Sequence, residues 1–75
     1  MSEYDTRKLQ IASRLRNLIY EHYKTLDEFA NDFGYDTRTI SNWVNKGIDS
    51  FATIYEICDY FNVDFDQFIK LNKED

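Results

Sequence analysis

Thr25-Leu26-Asp27-Glu28-Phe29-Ala30-Asn31-Asp32-Phe33-Gly34-Tyr35-Asp36-Thr37-Arg38-Thr39-Ile40-Ser41-Asn42-Trp43 is the stretch on which the reading of this chain turns. Thr25 offers a hydroxyl to the unpaired backbone N–H groups of a first helical turn, and Glu28, three residues on, has the reach to return to the N–H of Thr25, so a helix is expected to begin here. Phe29, Ala30 and Phe33 form its buried stripe, with Ala30 small where two helices approach. Gly34 ends it, because a positive φ is cheap only for a residue without a Cβ. Asp36 is the expected N-cap of the next helix, whose inner side carries Tyr35, Ile40 and Trp43. Thr37, Arg38, Ser41, Asn42 and Asn45 are left outward. A plain surface helix repeats Glu and Lys at i and i+4. This one shows hydroxyls, amides and one arginine, the groups that hydrogen-bond to base edges.

Working outward, the apolar residues recur every three or four positions and the chain has no proline and two glycines, so the pattern is all-α. A first helix is expected from about Thr6 or Arg7 to Tyr23, with Ile11, Leu15, Leu18, Ile19 and His22 on one face. Ser50 caps a fourth, in which Phe51, Ile54, Ile57, Cys58 and Phe61 are buried and which stops at Asn62, a residue tolerant of the left-handed conformation. Asp64 and Gln67 open a short fifth helix with Phe65, Phe68, Ile69 and Leu71. Seventy-five residues with 43% hydrophobic content suffice for one modest core and leave no room for a second domain. The expectation is a single domain over 1–75, its core about 7–71, with 1–5 and 72–75, including Lys73-Glu74-Asp75, frayed.

No run is apolar enough to cross a membrane, Met1-Ser2-Glu3-Tyr4-Asp5 is not a signal peptide, and one cysteine makes no internal disulfide, so a cytoplasmic protein is expected. Catalytic residues are expected to be none. His22 and Cys58 are the only residues of their kinds, and the carboxylates sit at helix starts, where the macrodipole favours them. One histidine and one cysteine also make a metal site improbable, and no cofactor is implied. Cys58 reads as a small buried hydrophobe and His22 as a structural residue. Tyr55, Tyr60, Phe65 and Phe68 exceed what one small core holds, which makes the surface of the last two helices the expected place for a homodimer or partner contact.

Four segments together resemble the phage repressor class of helix-turn-helix proteins, the lambda repressor and Cro-like domains. They are Ile11-Ala12 with Leu15, Thr25 through Ala30, Gly34 with Ile40-Ser41 and Trp43, and Ser50 through Phe68. The likeness runs from Ile11 to Ile69, with a one-residue shift near Lys46-Gly47. It implies a compact five-helix domain whose third helix, about residues 36–45, enters the major groove of an operator-like double-stranded DNA site, often as a two-fold dimer. Carried over by position, base contacts fall on Thr37, Arg38 and Asn42, with Ser41 beside them. Phosphate contacts fall near Thr25, Leu26, Asp36, Asn45 and Lys46.

Three positions depart from that pattern. Leu26 stands where an amide often grips a phosphate, and Asp36, which a phosphate repels, stands in place of a neutral hydroxyl. Ile19 and Val44 replace a pair often found as arginine and glutamate, a change expected only to repack the core. The net charge is −5, and the acid lies mainly in the C-terminal half, while Arg7, Lys8, Arg14, Arg16 and Lys24 are placed to face phosphates beside the third helix. With so few cations near that helix, weak nonspecific affinity is expected.

Two functions stay open at this level. The first is a sequence-specific transcriptional regulator of phage repressor type. The second is a phage modulator, antirepressor or antitoxin-like protein that docks its acidic face (Leu26, Asp27, Asp36, Arg38, Asn42) on a partner protein such as a repressor or toxin.

Overall fold

The computed structural model describes residues 3–70, with side chains from residue 7 onward. Five helices follow in chain order: α1 (Glu3–His22), α2 (Leu26–Phe33), α3 (Thr37–Lys46), α4 (Phe51–Phe61) and α5 (Phe65–Ile69). No strand occurs among the described residues. Short polar side chains open three of these helices. The Thr25 hydroxyl accepts from the Glu28 N–H at 3.2 Å, Ser50 from Thr53 at 3.4 Å, and Asp64 from Gln67 at 3.1 Å. Each such cap stabilises its helix by about 1 kcal/mol. At the other ends, Gly34 (φ +91°) and Asn62 (φ +59°) take the left-handed conformation that the sequence assigns them. Both Gly34 and Tyr35 then donate to the Ala30 carbonyl, which closes the turn into α3.

α3 packs on α1 and α2, and α5 on α1 and α4. The core between them is made by Leu15 and Ile19 of α1, Phe29 and Ala30 of α2, Ile40 and Val44 of α3, and Ile54, Ile57 and Cys58 of α4, with Ile48 and Phe68 closing it. Burying side chains of this size stabilises by about 1.5–3 kcal/mol each, which is how so short a chain holds α3 in place. Phe29 is the hub, with the rings of Tyr23, Phe33, Tyr60 and Phe61 centred 5.1–5.8 Å from its own. Ile19 and Val44 are both buried, so an apolar pair occupies the place of an ion pair, and no salt bridge is needed there.

Several expectations are corrected. α1 begins at Glu3, before the expected Thr6 or Arg7, so residues 3–5 are helical, and it ends at His22, one residue short of Tyr23. Glu28 takes the N–H of Lys24 at 3.0 Å, leaving that of Thr25. Phe51 is 63% exposed because it starts α4 at the rim of the core, where its ring meets that of Phe65 edge to face. Tyr35 lies just before α3 and only half turns inward, against Phe33 and Trp43. His22 is exposed, with one face stacked on Phe61 at 5.2 Å. Phe68, expected among the surplus rings, is buried. Leu71 and residues 72–75 lie outside the described residues, as do Met1 and Ser2.

Candidate nucleic-acid interface

The outward edge of α3 is set by what its inward edge buries. Ile40 and Val44 are locked in the core and Trp43 packs against it, so a helix of this pitch must turn Arg38, Asn42 and Lys46 away from the body. All three are exposed. They follow one another at i, i+4 and i+8, a row spanning about 12 Å along the helix axis, or three to four base pairs at about 3.4 Å each. The side chains of Arg38 and Asn42 make no hydrogen bond or ion pair to any described residue and are exposed, so their donors and acceptors face solvent. Arg38 has the fork for guanine O6 and N7, and Asn42 the paired donor and acceptor for adenine N6 and N7.

Several of the remaining expected contacts are already engaged within the molecule. Thr37 donates its hydroxyl proton to Asp27, tying the first turn of α3 to the first turn of α2. Asn45 turns its amide N–H groups onto the Ser41 carbonyl at 2.8 Å and the Ser41 hydroxyl at 3.2 Å. Arg16 meets it from α1, donating to the Val44 carbonyl at 3.0 Å and to Asn45 Oδ1 at 3.1 Å. Ser41 is half-buried. Thr25 caps α2 through its oxygen and keeps a proton to donate. Leu26 packs partly against the core and offers no polar atom. Asp36 occupies the N-cap position of α3 but makes no side-chain capping bond, so its carboxylate stands at the helix start uncommitted.

Two clefts flank the helix and differ in charge. Beside its start, a cleft of about 520 Å³ is lined by Asp27, Glu28, Asn31, Tyr35, Asp36 and Thr37. Beside its end, one of about 430 Å³ is lined by Lys8, Thr39, Asn42, Lys46, Ser50 and Thr53, with Asp49 as its one carboxylate. Lys8 pairs with Asp49 and lays its methylenes over Gly47, where an added Cβ would stand 2.3 Å from Lys8 Cγ. The expected row of α1 cations facing phosphates is therefore broken up. Lys8 is paired, Arg16 clamps the end of α3, and Arg14 donates to the Phe68 carbonyl at 2.7 Å, holding α5 in place. Sequence reasoning did not find the clamp formed by Arg16, nor Thr39, Ser50 and Thr53 beside the reading edge. The serine cap of α4 was the one available signal, because a helix start gathers free N–H groups.

Elsewhere, chemistry is sparse. Burial, with the nearby Asp64 carboxylate, pushes the Cys58 thiol up from its ordinary value, which leaves it a poor nucleophile. No group of three or more histidine, cysteine or acidic residues suited to a metal ion occurs among the described residues. No described helix is long and apolar enough to cross a membrane.

Two short helices joined by a glycine turn, the second set by buried Ile40 and Val44 with Trp43 packed against the core, define a helix-turn-helix protein. Residues 14–74 match the family model of the Cro/C1-type HTH DNA-binding domain, and the chain belongs to that family. It is thus a DNA-binding regulatory domain, of a family that does not act by catalysis. Neither the curated proteins nor the solved structures compared with it gave a match.

Proposed function

We propose that the protein is a sequence-specific transcriptional regulator of phage repressor type, which reads an operator-like site in double-stranded DNA with α3 in the major groove. The observation that carries this reading is the pair Arg38 and Asn42, exposed on one edge of α3 with their hydrogen-bonding groups uncommitted. Arg38 and Asn42 read bases. Lys46 and Thr25 meet phosphates on either side, and Thr37, Ser41 and Asn45 chiefly hold the edge in shape through their internal bonds. Two copies related by a two-fold axis would place their α3 helices in successive major grooves, about 34–36 Å apart. The exposed rings of Phe51 and Tyr55 give such a pair an apolar contact.

The test is selection of binding sites from a random duplex library by the purified protein at two salt concentrations. Enrichment of a preferred site, lost with Arg38→Ala, supports the reading. No enrichment at the lower salt concentration overturns it and favours the protein-directed role of the same acidic face.

A further inference from the structure

We propose that a cleft on the side of the molecule formed by the end of α2 and the outer face of α4 receives an arginine side chain from a basic segment of a partner protein. The cleft has a volume of about 300 Å³ and is lined by Phe33, Tyr35, Glu56, Asp59 and Tyr60. Its size is at the lower end of small-ligand sites. None of Arg38, Ser41, Asn42, Asn45 or Lys46 lines it, so it is separate from the reading edge of α3.

Three rings and two carboxylates give this cleft the chemistry of a cation receptor. Phe33 and Tyr35 stack at 5.1 Å, and Tyr60 stands nearly upright to Phe33 at 5.0 Å and 71°, so ring faces and edges meet at a corner. Tyr35 and Tyr60 are each about two-fifths exposed, which leaves aromatic surface for a ligand. Glu56 and Asp59 are exposed at the rim, and the ion pair Lys8–Asp49 lies elsewhere. A ring face attracts a cation through its quadrupole, and a carboxylate accepts two parallel N–H bonds from a guanidinium. Arginine satisfies both at once because it is planar. Lysine, a compact and strongly hydrated charge, satisfies them less well. DNA is the wrong occupant, since two carboxylates repel a phosphate.

The corner is built before any ligand arrives. Gly34 at φ +91° swings Tyr35 back beside Phe33, and the Tyr35 N–H is fixed on the Ala30 carbonyl at 3.0 Å. The Tyr35 hydroxyl donates to Glu56 Oε1 at 3.0 Å, which orients the carboxylate and ties the turn to α4. That same bond raises the Tyr35 hydroxyl above its ordinary pKa, as expected of a phenol that donates to a carboxylate. A preformed site loses little entropy on binding.

The experiment is a titration of the isotope-labelled protein, followed by nuclear magnetic resonance, with a short arginine-containing peptide, its lysine counterpart and free arginine as probes. The proposal expects saturable shifts centred on Tyr35, Glu56 and Tyr60, and weaker binding of the lysine peptide and of free arginine. Glu56→Gln combined with Asp59→Asn should weaken the arginine peptide by about tenfold, as loss of a charge-assisted hydrogen bond would. Tyr35→Phe, which keeps the ring and frees Glu56, reports on the corner if the double variant is poorly folded, and should weaken binding by less. Shifts spread evenly over Asp27, Asp36, Asp64 and Asp66, equal affinity for arginine and lysine peptides, or no saturable shift would each overturn the proposal. Because Arg38 does not line the cleft, Arg38→Ala should leave peptide binding unchanged, which separates this result from any failure of DNA recognition.

Discussion

The two ends of α3, a helix of ten residues, carry opposite chemistry. At its start stand Asp27, Glu28 and Asp36. At its end stand Lys46 and Arg16, the latter donating to the Val44 carbonyl. Acid at the N-terminus and cations at the C-terminus complement the helix macrodipole, so this arrangement stabilises the fold. DNA recognition asks for the reverse, because the N-terminal end of a recognition helix is the one that meets phosphates and base edges. Stability and affinity therefore pull against each other along one short helix. The end richer in cations, where exposed Lys46 borders a cleft that also holds the Lys8–Asp49 pair, is where the proposed reading puts the backbone of the duplex.

The largest effect that sharpens this contrast concerns the glycines before and after α3. Gly34 (φ +91°) has nothing within 4 Å of the position a Cβ would take, whereas at Gly47 (φ +98°) that position is filled by Lys8. Gly34→Ala carries only the left-handed backbone cost, about 1 kcal/mol. Gly47→Ala adds the displacement of Lys8 to a conformation reserved for glycine, and should cost about 3 kcal/mol. Urea denaturation of the two variants measures both. Equal losses would show that Lys8 does not brace the end of α3.

Next in size is Arg38→Ala. Loss of a bidentate base contact should weaken a preferred duplex by about 2 kcal/mol, roughly thirtyfold, while binding to random duplex changes far less. Fluorescence anisotropy with the two duplexes makes the measurement. A uniform loss would mean that Arg38 meets phosphate, and the boundary between reading edge and anchor would have to move toward the helix start.

How far this contrast was legible in the sequence depends on the kind of residue. Thr25, Gly34, Ser50, Asn62 and Asp64 act locally, through backbone groups three or four residues away, and their roles could be read from neighbours alone. Ile40 and Trp43 follow from helical period, which also places Arg38 and Asn42 outward. Arg16 could not be read that way. Its partner is Val44, 28 residues on, and nothing in local spacing reports a side chain reaching across to another helix. Phe51 misled for a related reason: its period is that of the core stripe, but the first residue of a helix overhangs the edge of what it covers. Thr37 was placed correctly as exposed, yet its bond to Asp27 depends on how α2 and α3 cross, which only the packed structure defines.

A smaller effect is expected at the basic end. Lys46 is exposed, and a phosphate contact there releases about one counterion on binding. Lys46→Ala should therefore weaken preferred and random duplexes alike and lower the slope of log affinity against log salt by about 1. Repeating the anisotropy titration at several salt concentrations gives the slope. An unchanged slope would assign the backbone contact to another cation and remove half of the contrast between the two ends.

The smallest effect tests the other half, and it carries opposite signs in two measurements. Asp36 caps α3 by position but not by hydrogen bond, so its contribution to the fold is charge against dipole, about 0.3–1 kcal/mol. Asparagine keeps the shape and removes the charge. Asp36→Asn should lower stability in urea by a few tenths of a kcal/mol, while it raises DNA affinity by about 0.5 kcal/mol, roughly twofold, since a unit charge some 7 Å from a phosphate in water costs about that much. Salt separates the two causes: the gain in affinity should shrink as ionic strength rises and the Debye length falls below that distance. If stability and affinity both fell, the carboxylate would be holding the start of α3 in its reading position. The acidic end would then belong to the DNA site itself and would not be the stability feature that opposes it.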